Sequence, residues 1–424
     1  MGLPQELVDQ IVDMLRDDLR ALKACSLTCK AMFASTRHLI HQRLCLTERN
    51  SRSVLTQEEE QQLYQSLGNY PSLKLRLLPY AGERGLLQYT RHVHIGKGYM
   101  FTPDTLLPHL HHFQSLDHVH TLTIEHYNPP SWADHYNTCF VHFYPTLTSL
   151  TLSYPHSRYG PLLEFALQFP NLENLCLEWL PIKEGHIPYP APTAPIIFEQ
   201  WPPLRGHLRL AGYGTTSHEQ LAFARLPNGF NFRTVELEAF FGDRVQYTLN
   251  ACADTLEDLT IIPLGYGKHL PPLLSLTMMN QSVGFLSTGD VQLRGFGLQR
   301  MTLLCRLTLR MAFRQVSTLR KDALSGLLST ITSLVFSEFV LEIGRLPPHF
   351  HGSTSEFWGS WEEVDAHLKT RFARYGGFKL IIRTGKLIDR GDFERHVRGS
   401  FPLLENMGRI QFETDEYIEK YWHP

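Results

Sequence analysis

The sequence lacks an excess of charge of either sign. Its 424 residues contain 40 lysines and arginines against 42 aspartates and glutamates, so the formal net charge is −2. A nearly neutral chain has no overall field that attracts the phosphates of nucleic acids or anionic lipids. We therefore expect neither a nucleic acid nor a membrane as its partner.

Long apolar runs and clustered cysteines are also missing. No uninterrupted apolar stretch approaches the roughly 20 residues of a membrane-spanning helix. The first fifteen residues place Glu6, Asp9 and Asp13 among the apolar side chains, which a secretory signal does not tolerate. The seven cysteines form an odd, scattered set that matches neither a disulfide framework nor a paired-cysteine zinc site. These features predict an intracellular protein of the cytoplasm or the nucleus.

Motifs that carry catalysis are absent as well. The sequence has no phosphate-binding glycine loop, no G-x-S-x-G turn and no carboxylate pair within an informative motif. Several of the 22 histidines crowd together, but without a metalloenzyme spacing such as H-E-x-x-H. The alternative of a metal-dependent enzyme therefore depends on two short pairs, His92 with His94 and His118 with His120. We expect no catalytic residue, no cofactor and no bound metal.

The N-terminal residues show helical periodicity. Asp17 or Asp18 is suited to cap a second helix after the first. Three helices within about 45 residues cannot bury all their apolar faces against one another, so part of this surface needs a partner. In the alternative interpretation, the helices only cap the rest of the chain and their stripes are internal core. The three stripes are Leu7, Val8, Ile11, Met14 and Leu15; then Leu22, Cys25, Cys29 and Met32 or Phe33; then Leu39, Ile40 and Leu44.

Two segments resemble the F-box motif: Leu3-Pro4-x-Glu6-Leu7-x-x-x-Ile11-x-x-x-Leu15 and Leu22-x-x-Cys25-Ser26-Leu27-x-Cys29-Lys30. The resemblance covers about a tenth of the chain. It implies that residues 1–46 form a three-helix module that docks on the Skp-family linker subunit of an SCF (cullin–RING) ubiquitin ligase. The family usually has Trp three residues after the second cysteine, where this chain has Met32, so we expect weaker docking. The docking residues that the resemblance implies are Leu3, Pro4, Leu7, Ile11, Leu15, Leu22, Cys25, Ser26, Cys29 and Met32.

A repeated pattern follows a connector at residues 47–88. The pattern is apolar-x-x-apolar-x-apolar, as in Leu147-Leu150-Leu152 and Leu304-Leu307-Leu309, usually with an amphipathic segment before each copy. Such repeats predict an α/β leucine-rich-repeat-like solenoid over residues 89–424, with a curved parallel sheet and outer helices. It would carry insertions at 181–203 and 345–361, and a non-repeat α/β domain is the alternative. The middle apolar positions of the copies are 93, 122, 150, 175, 208, 235, 259, 307, 334, 380 and 410.

The outward positions of the predicted strands would form an open, solvated face, on which solenoids bind their partners. Arg306, Lys379 and Arg409 are expected to align there beside Trp358 and Trp361, two large aromatics of the second insertion. Arginine and tryptophan supply many interface hot spots, and clustered cations suit an acidic or phosphorylated protein substrate. The alternative is that the cations only balance Glu338, Glu342 and Asp389, and that both tryptophans pack on the sheet.

These features together resemble fungal F-box proteins with degenerate leucine-rich repeats. The resemblance implies a non-catalytic substrate adaptor, whose partners are the Skp-family linker, the cullin and an unknown protein substrate. The second hypothesis is an interaction scaffold that keeps the docking module and recruits no ubiquitylation target.

Overall fold

The structure is a computed structural model, and it divides the chain into two units, Met1–Trp179 and Leu180–Pro424. Both units are α/β, and among the described residues no helix is long and apolar enough to cross a lipid bilayer. The described residues are 4–16, 18–46, 87–95, 113, 116–125, 140–153, 165–179, 204–212, 230–238, 242–262, 297–312, 316, 319, 321–344, 361–372, 376–385 and 390–415.

Three helices open the first unit: α1 (Gln5–Met14), α2 (Leu19–Ser26) and α3 (Lys30–Ile40). Asp18 caps α2 as predicted, since its carboxylate accepts hydrogen bonds from the backbone N–H groups of Arg20 and Ala21, both at 3.0 Å. Cys29 caps α3, and the backbone N–H of Met32 lies 3.5 Å from its Sγ. That hydrogen bond lowers the pKa of the Cys29 thiol. The predicted second stripe is therefore divided between α2 and α3.

The three helices share a small core of their own. Val8, Val12, Leu22 and Leu39 are buried in it, and Leu15, Met32 and Ile40 pack against them. A polar contact fixes α1 against α3, because the Ser35 hydroxyl donates to Asp9 Oδ1 at 2.6 Å and the Gln5 amide donates to the same oxygen at 2.9 Å. These hydrogen bonds, Ser35 first, hold the pKa of Asp9 below its ordinary value. The N-terminal residues thus form a folded helical module.

The strands of the first unit lie in sequence order and pair in parallel: β1 (Arg43–Leu46), β2 (His92–Ile95), β3 (Thr121–Glu125), β4 (Ser149–Ser153) and β5 (Asn174–Trp179). One row of neighbouring core positions contains Val93, Leu122, Leu150 and Leu175, which are the predicted middle positions.

Strand β1 was not predicted. Leu44, expected in a third helical stripe, lies beside Val93 in the sheet. The carbonyl oxygen of Gln42 accepts hydrogen bonds from the N–H groups of Arg91 and His92, at 2.8 and 3.0 Å. These bonds join the residue before β1 to the start of β2. An apolar run of this length does not distinguish a helix from a strand by periodicity alone.

The second unit repeats the arrangement. Its parallel strands, in order, are β6 (Arg205–Gly212), β7 (Asn231–Glu238), β8 (Asp258–Ile262), β9 (Arg306–Ala312), β10 (Glu338–Gly344), β11 (Lys379–Thr384) and β12 (Ile410–Thr414). The helices are α4 (Gly242–Ala251), α5 (Lys321–Ser329), α6 (Glu362–Arg371), α7 (Arg390–Ser400) and α8 (Pro402–Asn406). Helix α5 packs on α6, α6 on α8 and α7 on α8. One strand per repeat with helices between strands confirms the predicted leucine-rich-repeat-like α/β fold.

One predicted repeat is displaced. Ten of the eleven predicted middle positions lie in a strand, but Leu334 lies in a turn and is 79% exposed. The strand is β10, five residues later, where Phe339 occupies the middle position beside Leu307 and Leu380. The actual copy is Phe336-Phe339-Leu341. Because Phe336 also ends the predicted copy, the two patterns overlap in the sequence.

In the turns before the strands, polar side chains donate hydrogen bonds to backbone carbonyls, which was not predicted from the sequence. Leucine-rich repeats usually place Asn or Cys after the strand for this purpose, and this chain lacks that residue. In three copies the polar side chain that directly precedes the first leucine donates instead to a backbone carbonyl of the preceding repeat. Thr146 donates to Val119 at 2.9 Å, Asn171 to Pro145 at 2.8 Å and Thr255 to Phe232 at 3.0 Å.

Replacing a core leucine tests the inward and outward assignment of the strands. Leu175 is fully buried, whereas its neighbour position Thr151 on β4 faces the other way and is half-buried. We expect Leu175→Ala to cost about 2 to 5 kcal/mol in the free energy of unfolding and Thr151→Ala under about 0.5 kcal/mol. Chemical denaturation of both variants measures the difference, and equal midpoints would contradict the assignment.

Mild acid is expected to destabilise the protein. Burial lowers the pKa of His41, His207, His367 and His396 in the folded state. The unfolded chain takes up protons on these rings near pH 6.5, whereas the folded chain does so only at lower pH. The stability that they contribute is therefore complete above pH 6.5 and decreases as the pH falls below it. Urea midpoints at pH 7.5 and pH 5.5 measure this, and a midpoint that is constant or higher at pH 5.5 would refute it.

Candidate functional site

Helix α1 presents an apolar face outward. Leu7 and Ile11 are 45% and 38% exposed, and Met14, one turn further, is 86% exposed. Their spacing of three and four residues places them on one side of the helix, whereas Val8 and Val12 enter the core of the module. The interpretation in which the whole first stripe is internal core is therefore wrong, because the stripe divides into an inner and an outer row.

The other predicted docking residues divide in the same way. Leu22 is buried, and Leu15 and Met32 pack against the core, so these three side chains hold the module together. Pro4 and Cys29 are exposed, and the adjoining turn residue Leu27 is 87% exposed. Cys25 and Ser26 are half-buried, and Leu3 lies outside the described residues. Whether the exposed members contact a linker subunit stays a prediction.

The row of cations predicted on the second unit is interrupted. Strand β10 lies between β9 and β11, so Glu338 lies in register beside both Arg306 and Lys379. The Arg306 Nε donates to Glu338 Oε2 at 2.6 Å, and this hydrogen bond raises the pKa of the guanidinium. Because the β10 copy was predicted five residues too early in the sequence, Glu338 was not expected in the row between Arg306 and Lys379. Arg306 is thus occupied by a neighbouring carboxylate, as the alternative interpretation proposed.

Trp361 belongs to the core. It directly precedes α6 and is only 1% exposed, with its ring 5.3 Å from that of Phe401 and the Lys321 ammonium 5.1 Å from its centre. The prediction that Trp361 binds substrate is therefore wrong, because the packing of α6 on the repeats covers the ring. Trp358 and the rest of the insertion at 345–360 lie outside the described residues, as does the insertion at 181–203.

The outward face of the second unit is not an open surface at its centre. Thr308, Val340 and Ile381 occupy neighbouring outward positions on β9, β10 and β11 and are all buried. The expectation of a solvated face is wrong here. Strand β10 carries apolar residues on both of its faces, which is typical of parallel strands that are covered on both sides.

A ladder of alternating charges crosses this face. Arg310, Glu342, Arg383 and Glu413 lie side by side on β9 to β12. The Arg310 Nε donates to Glu342 Oε1 at 2.5 Å, and Arg383 lies 3.7 Å from Glu342 Oε2 and 2.8 Å from Glu413 Oε2. The Glu342 side chain is only 4% exposed, so it depends on these two arginines for compensation of its charge.

The ladder continues toward β6. Glu236 on β7 contacts Arg310 at 3.2 Å and Arg209 on β6 at 3.0 Å. Burial acts to lower the pKa of Arg310, but the charges of Glu236 and Glu342 outweigh it and raise the pKa above its ordinary value. Three arginines and three glutamates compensate one another, so this ladder stabilises the fold and offers no net charge to a ligand. On β9 to β12 each member lies three residues after the middle apolar position of its strand, but the displaced copy at Leu334 kept the sequence analysis from aligning Glu342 with the others.

A basic pocket lies at the last strand. Its volume is about 430 Å³, and it brings together Lys379 and Arg409, two of the three predicted cations. Arg390 pairs with Glu394 at 2.5 Å, and Arg398 pairs with Glu405 at 2.5 Å. Within the described part of the chain, Lys379 Nζ has no ion pair, and Arg409 Nε is buried without a hydrogen-bond partner. The full lining is Lys379, Arg390, Glu394, Arg398, Gly408, Arg409, Ile410, Gln411 and Phe412.

The histidine pairs do not form a metal site in the described ranges, where no group of three or more His, Cys, Asp or Glu side chains is placed to hold a metal ion. His92 and His94 lie on β2, whereas His118 and His120 precede β3. His120 Nδ1 lies 3.0 Å from the carbonyl oxygen of Thr146 in the adjoining turn.

No family model and no curated protein matches the chain. Among solved structures, a chain from the crystal structure of the Rad7 and Elc1 complex in yeast is 13% identical, with 90% of this chain and 88% of that chain covered. The TM-score is 0.34.

Proposed function

We propose that the chain is a non-catalytic adaptor of an SCF-type ubiquitin ligase, with α1 to α3 docking on a Skp-family linker subunit and the repeats holding a protein substrate. The observation that carries the proposal is the exposure of Leu7 and Ile11 above an intact core. Both occupy apolar positions of the F-box-like pattern, and the module folds without burying either of them.

The exposed face is larger than single surface leucines require. Isolated apolar residues are normal on protein surfaces, but Leu7, Ile11 and Met14 follow one another along one side of α1. Complete burial of such a side chain contributes about 1.5 to 3 kcal/mol, so covering the exposed parts of three of them supports a specific interface. An amphipathic helix that packs on both sides is typical of a docking element.

The repeats would act by positioning the substrate. An adaptor needs no catalytic group, because it raises the effective concentration of the substrate near the ubiquitin-carrying enzyme. Of the predicted substrate contacts that the structure describes, Lys379 and Arg409 remain accessible to a ligand, and they lie in the pocket of the last repeat. Arg306 is already paired with Glu338, and Trp361 is buried in the core, so neither residue belongs to the proposed surface.

Affinity purification under proteasome inhibition tests the proposal, with the wild-type chain compared to Leu7→Asp/Ile11→Asp. Deletion of residues 1–46 is a poorer test, because it also removes β1 from the sheet. Recovery of linker and cullin with the wild type alone supports a ligase adaptor. Recovery of the linker without the cullin favours the interaction scaffold, and recovery of neither refutes both.

A further inference from the structure

We propose that the edge of β12 with which no described strand pairs, together with the basic pocket beside it, forms a binding site for an extended acidic peptide, which joins the sheet as a further strand. The proposal rests on the proposed function only in assigning the peptide to a substrate protein. The site itself follows from the backbone of β12 and from the side chains around it.

Strand β12 is the last strand of the sheet order, so one of its edges is unpaired within the described residues. Its pairing with β11 is parallel: the N–H of Leu380 donates to the carbonyl of Arg409 at 2.9 Å, and the N–H of Asp415 donates to the carbonyl of Thr384 at 2.9 Å. In a parallel ladder, alternate residues bond to the same neighbour. The N–H and C=O groups of Ile410, Phe412 and Thr414 therefore point away from β11, toward the open edge.

Helix α7 runs beside β12 and supplies cations along it. The Arg390 Nη1 lies 3.4 Å from Thr414 Oγ1 at the end of the strand, and the Arg398 guanidinium lies 5.0 Å from the centre of the Phe412 ring. Arg409 directly precedes the strand. The pocket lining includes both inward and outward residues of β12, Ile410 and Gln411 for example, so the pocket follows the strand.

Two of the cations retain unused donors. The nearby carboxylates Glu394 and Glu405 are paired with Arg390 and Arg398. Lys379 lacks a carboxylate partner among the described residues, and the Nε–H of Arg409 is buried without an acceptor, although its Nη1 donates to the Gly376 carbonyl at 2.7 Å. An anionic group of a ligand would therefore gain the most binding energy at the start of β12.

The backbone of β12 and the cations beside it together determine which ligand the site can bind. An open strand edge accepts an extended chain through main-chain hydrogen bonds, and alternate side chains of the added strand give specificity. The cations favour a carboxylate or a phosphate on that chain. Aspartate, glutamate and phosphoserine share this chemistry. The only aromatic ring in the lining is that of Phe412, which already stacks with Arg398, so the pocket lacks a platform for nucleotide bases.

Binding of labelled six-residue peptides to the purified full-length protein, followed by fluorescence anisotropy, tests the site. The peptides alternate Val with Glu, Val with phosphoserine or Val with Lys, and a fourth is the Glu peptide with a methyl group on every backbone nitrogen. We expect the Glu and phosphoserine peptides to bind and the Lys peptide to bind at least about tenfold more weakly. The N-methylated peptide should also lose at least about tenfold, because it lacks the N–H groups that join the sheet. Tight binding of only one anionic peptide identifies the source of the anion.

Charge reversal gives the matched protein variants. Lys379→Glu/Arg409→Glu should weaken the anionic peptides at least about tenfold. Arg395→Glu, an exposed change on α7 outside the pocket lining, should leave their affinity within about twofold. Equal binding by the pocket variant, equal binding of the N-methylated peptide, or preference for a single-stranded oligonucleotide overturns the proposal. Because no linker subunit is present, this failure is separate from failure of the ligase proposal.

Discussion

Leu7→Asp/Ile11→Asp is expected to abolish binding of the chain to a Skp-family linker subunit while the chain stays folded. Both side chains are partly exposed in the unbound module, so the new carboxylates are solvated there. In a docked complex the same carboxylates would be buried and unpaired at an apolar interface, which costs several kcal/mol. At that cost the affinity falls by about three orders of magnitude. Pull-down of purified linker, with circular dichroism as a check on folding, measures both effects.

Two control variants separate docking from folding. Val8→Asp lies on the inner row of α1 and is expected to disrupt the module itself, because Val8 is buried among Val12, Leu22 and Leu39. Leu334→Asp adds one charge at an exposed apolar residue of the second unit and should leave linker binding unchanged. If the double variant binds the linker as the wild type does, the F-box-like interpretation of α1 is refuted.

Glu342→Ala is expected to destabilise the chain by about 3 to 5 kcal/mol. Glu342 is nearly buried between Arg310 and Arg383, and its removal takes from Arg310, whose side chain is 17% exposed, the closer of the two carboxylates that it contacts, Glu342 and Glu236. A buried guanidinium that loses a carboxylate retains its desolvation cost without the compensating attraction. Equilibrium denaturation of the purified chain measures the loss.

The position of the residue along the ladder sets the size of this effect. Glu413 ends the ladder, and its side chain is 32% exposed, so Glu413→Ala should cost no more than about 1 kcal/mol. The paired replacement Arg310→Met/Glu342→Leu removes both charges of the closest pair and should recover part of the stability that Glu342→Ala loses. Equal losses for Glu342→Ala and Glu413→Ala would show that burial does not control the strength of the ladder.

The repeats were predictable because their leucines recur in a six-residue pattern that is typical of leucine-rich α/β repeats. Leu147, Leu150 and Leu152, for example, are all fully buried, as the pattern requires. The prediction failed where two patterns share a residue. Ile331-Leu334-Phe336 and Phe336-Phe339-Leu341 fit equally well, and the turn before β10 decides between them by hydrogen bonds such as that from Ser333 Oγ to the Thr302 carbonyl, 2.9 Å.

The candidate sites were predictable to a smaller extent. Lys379 and Arg409 were predicted from the sequence as substrate contacts, and the structure places both in one pocket. They could not be separated from Arg306 by sequence alone, because the carboxylate that occupies Arg306 lies on a neighbouring strand, 32 residues away in the chain. Trp361 was left open between surface and core, and the packing of α6 buries it.

The sequence by itself determined the class of the fold, the spacing of the strands and the helical nature of the N-terminal residues, since these depend on local periodicity and on which residues are apolar. Only the tertiary structure decided which apolar residues of α1 face outward and which charged residues meet. Contacts such as those from Glu236 to Arg310 join residues 74 positions apart. Such partners are chosen by strand order and register, which bring distant segments together, and no local pattern encodes the pair.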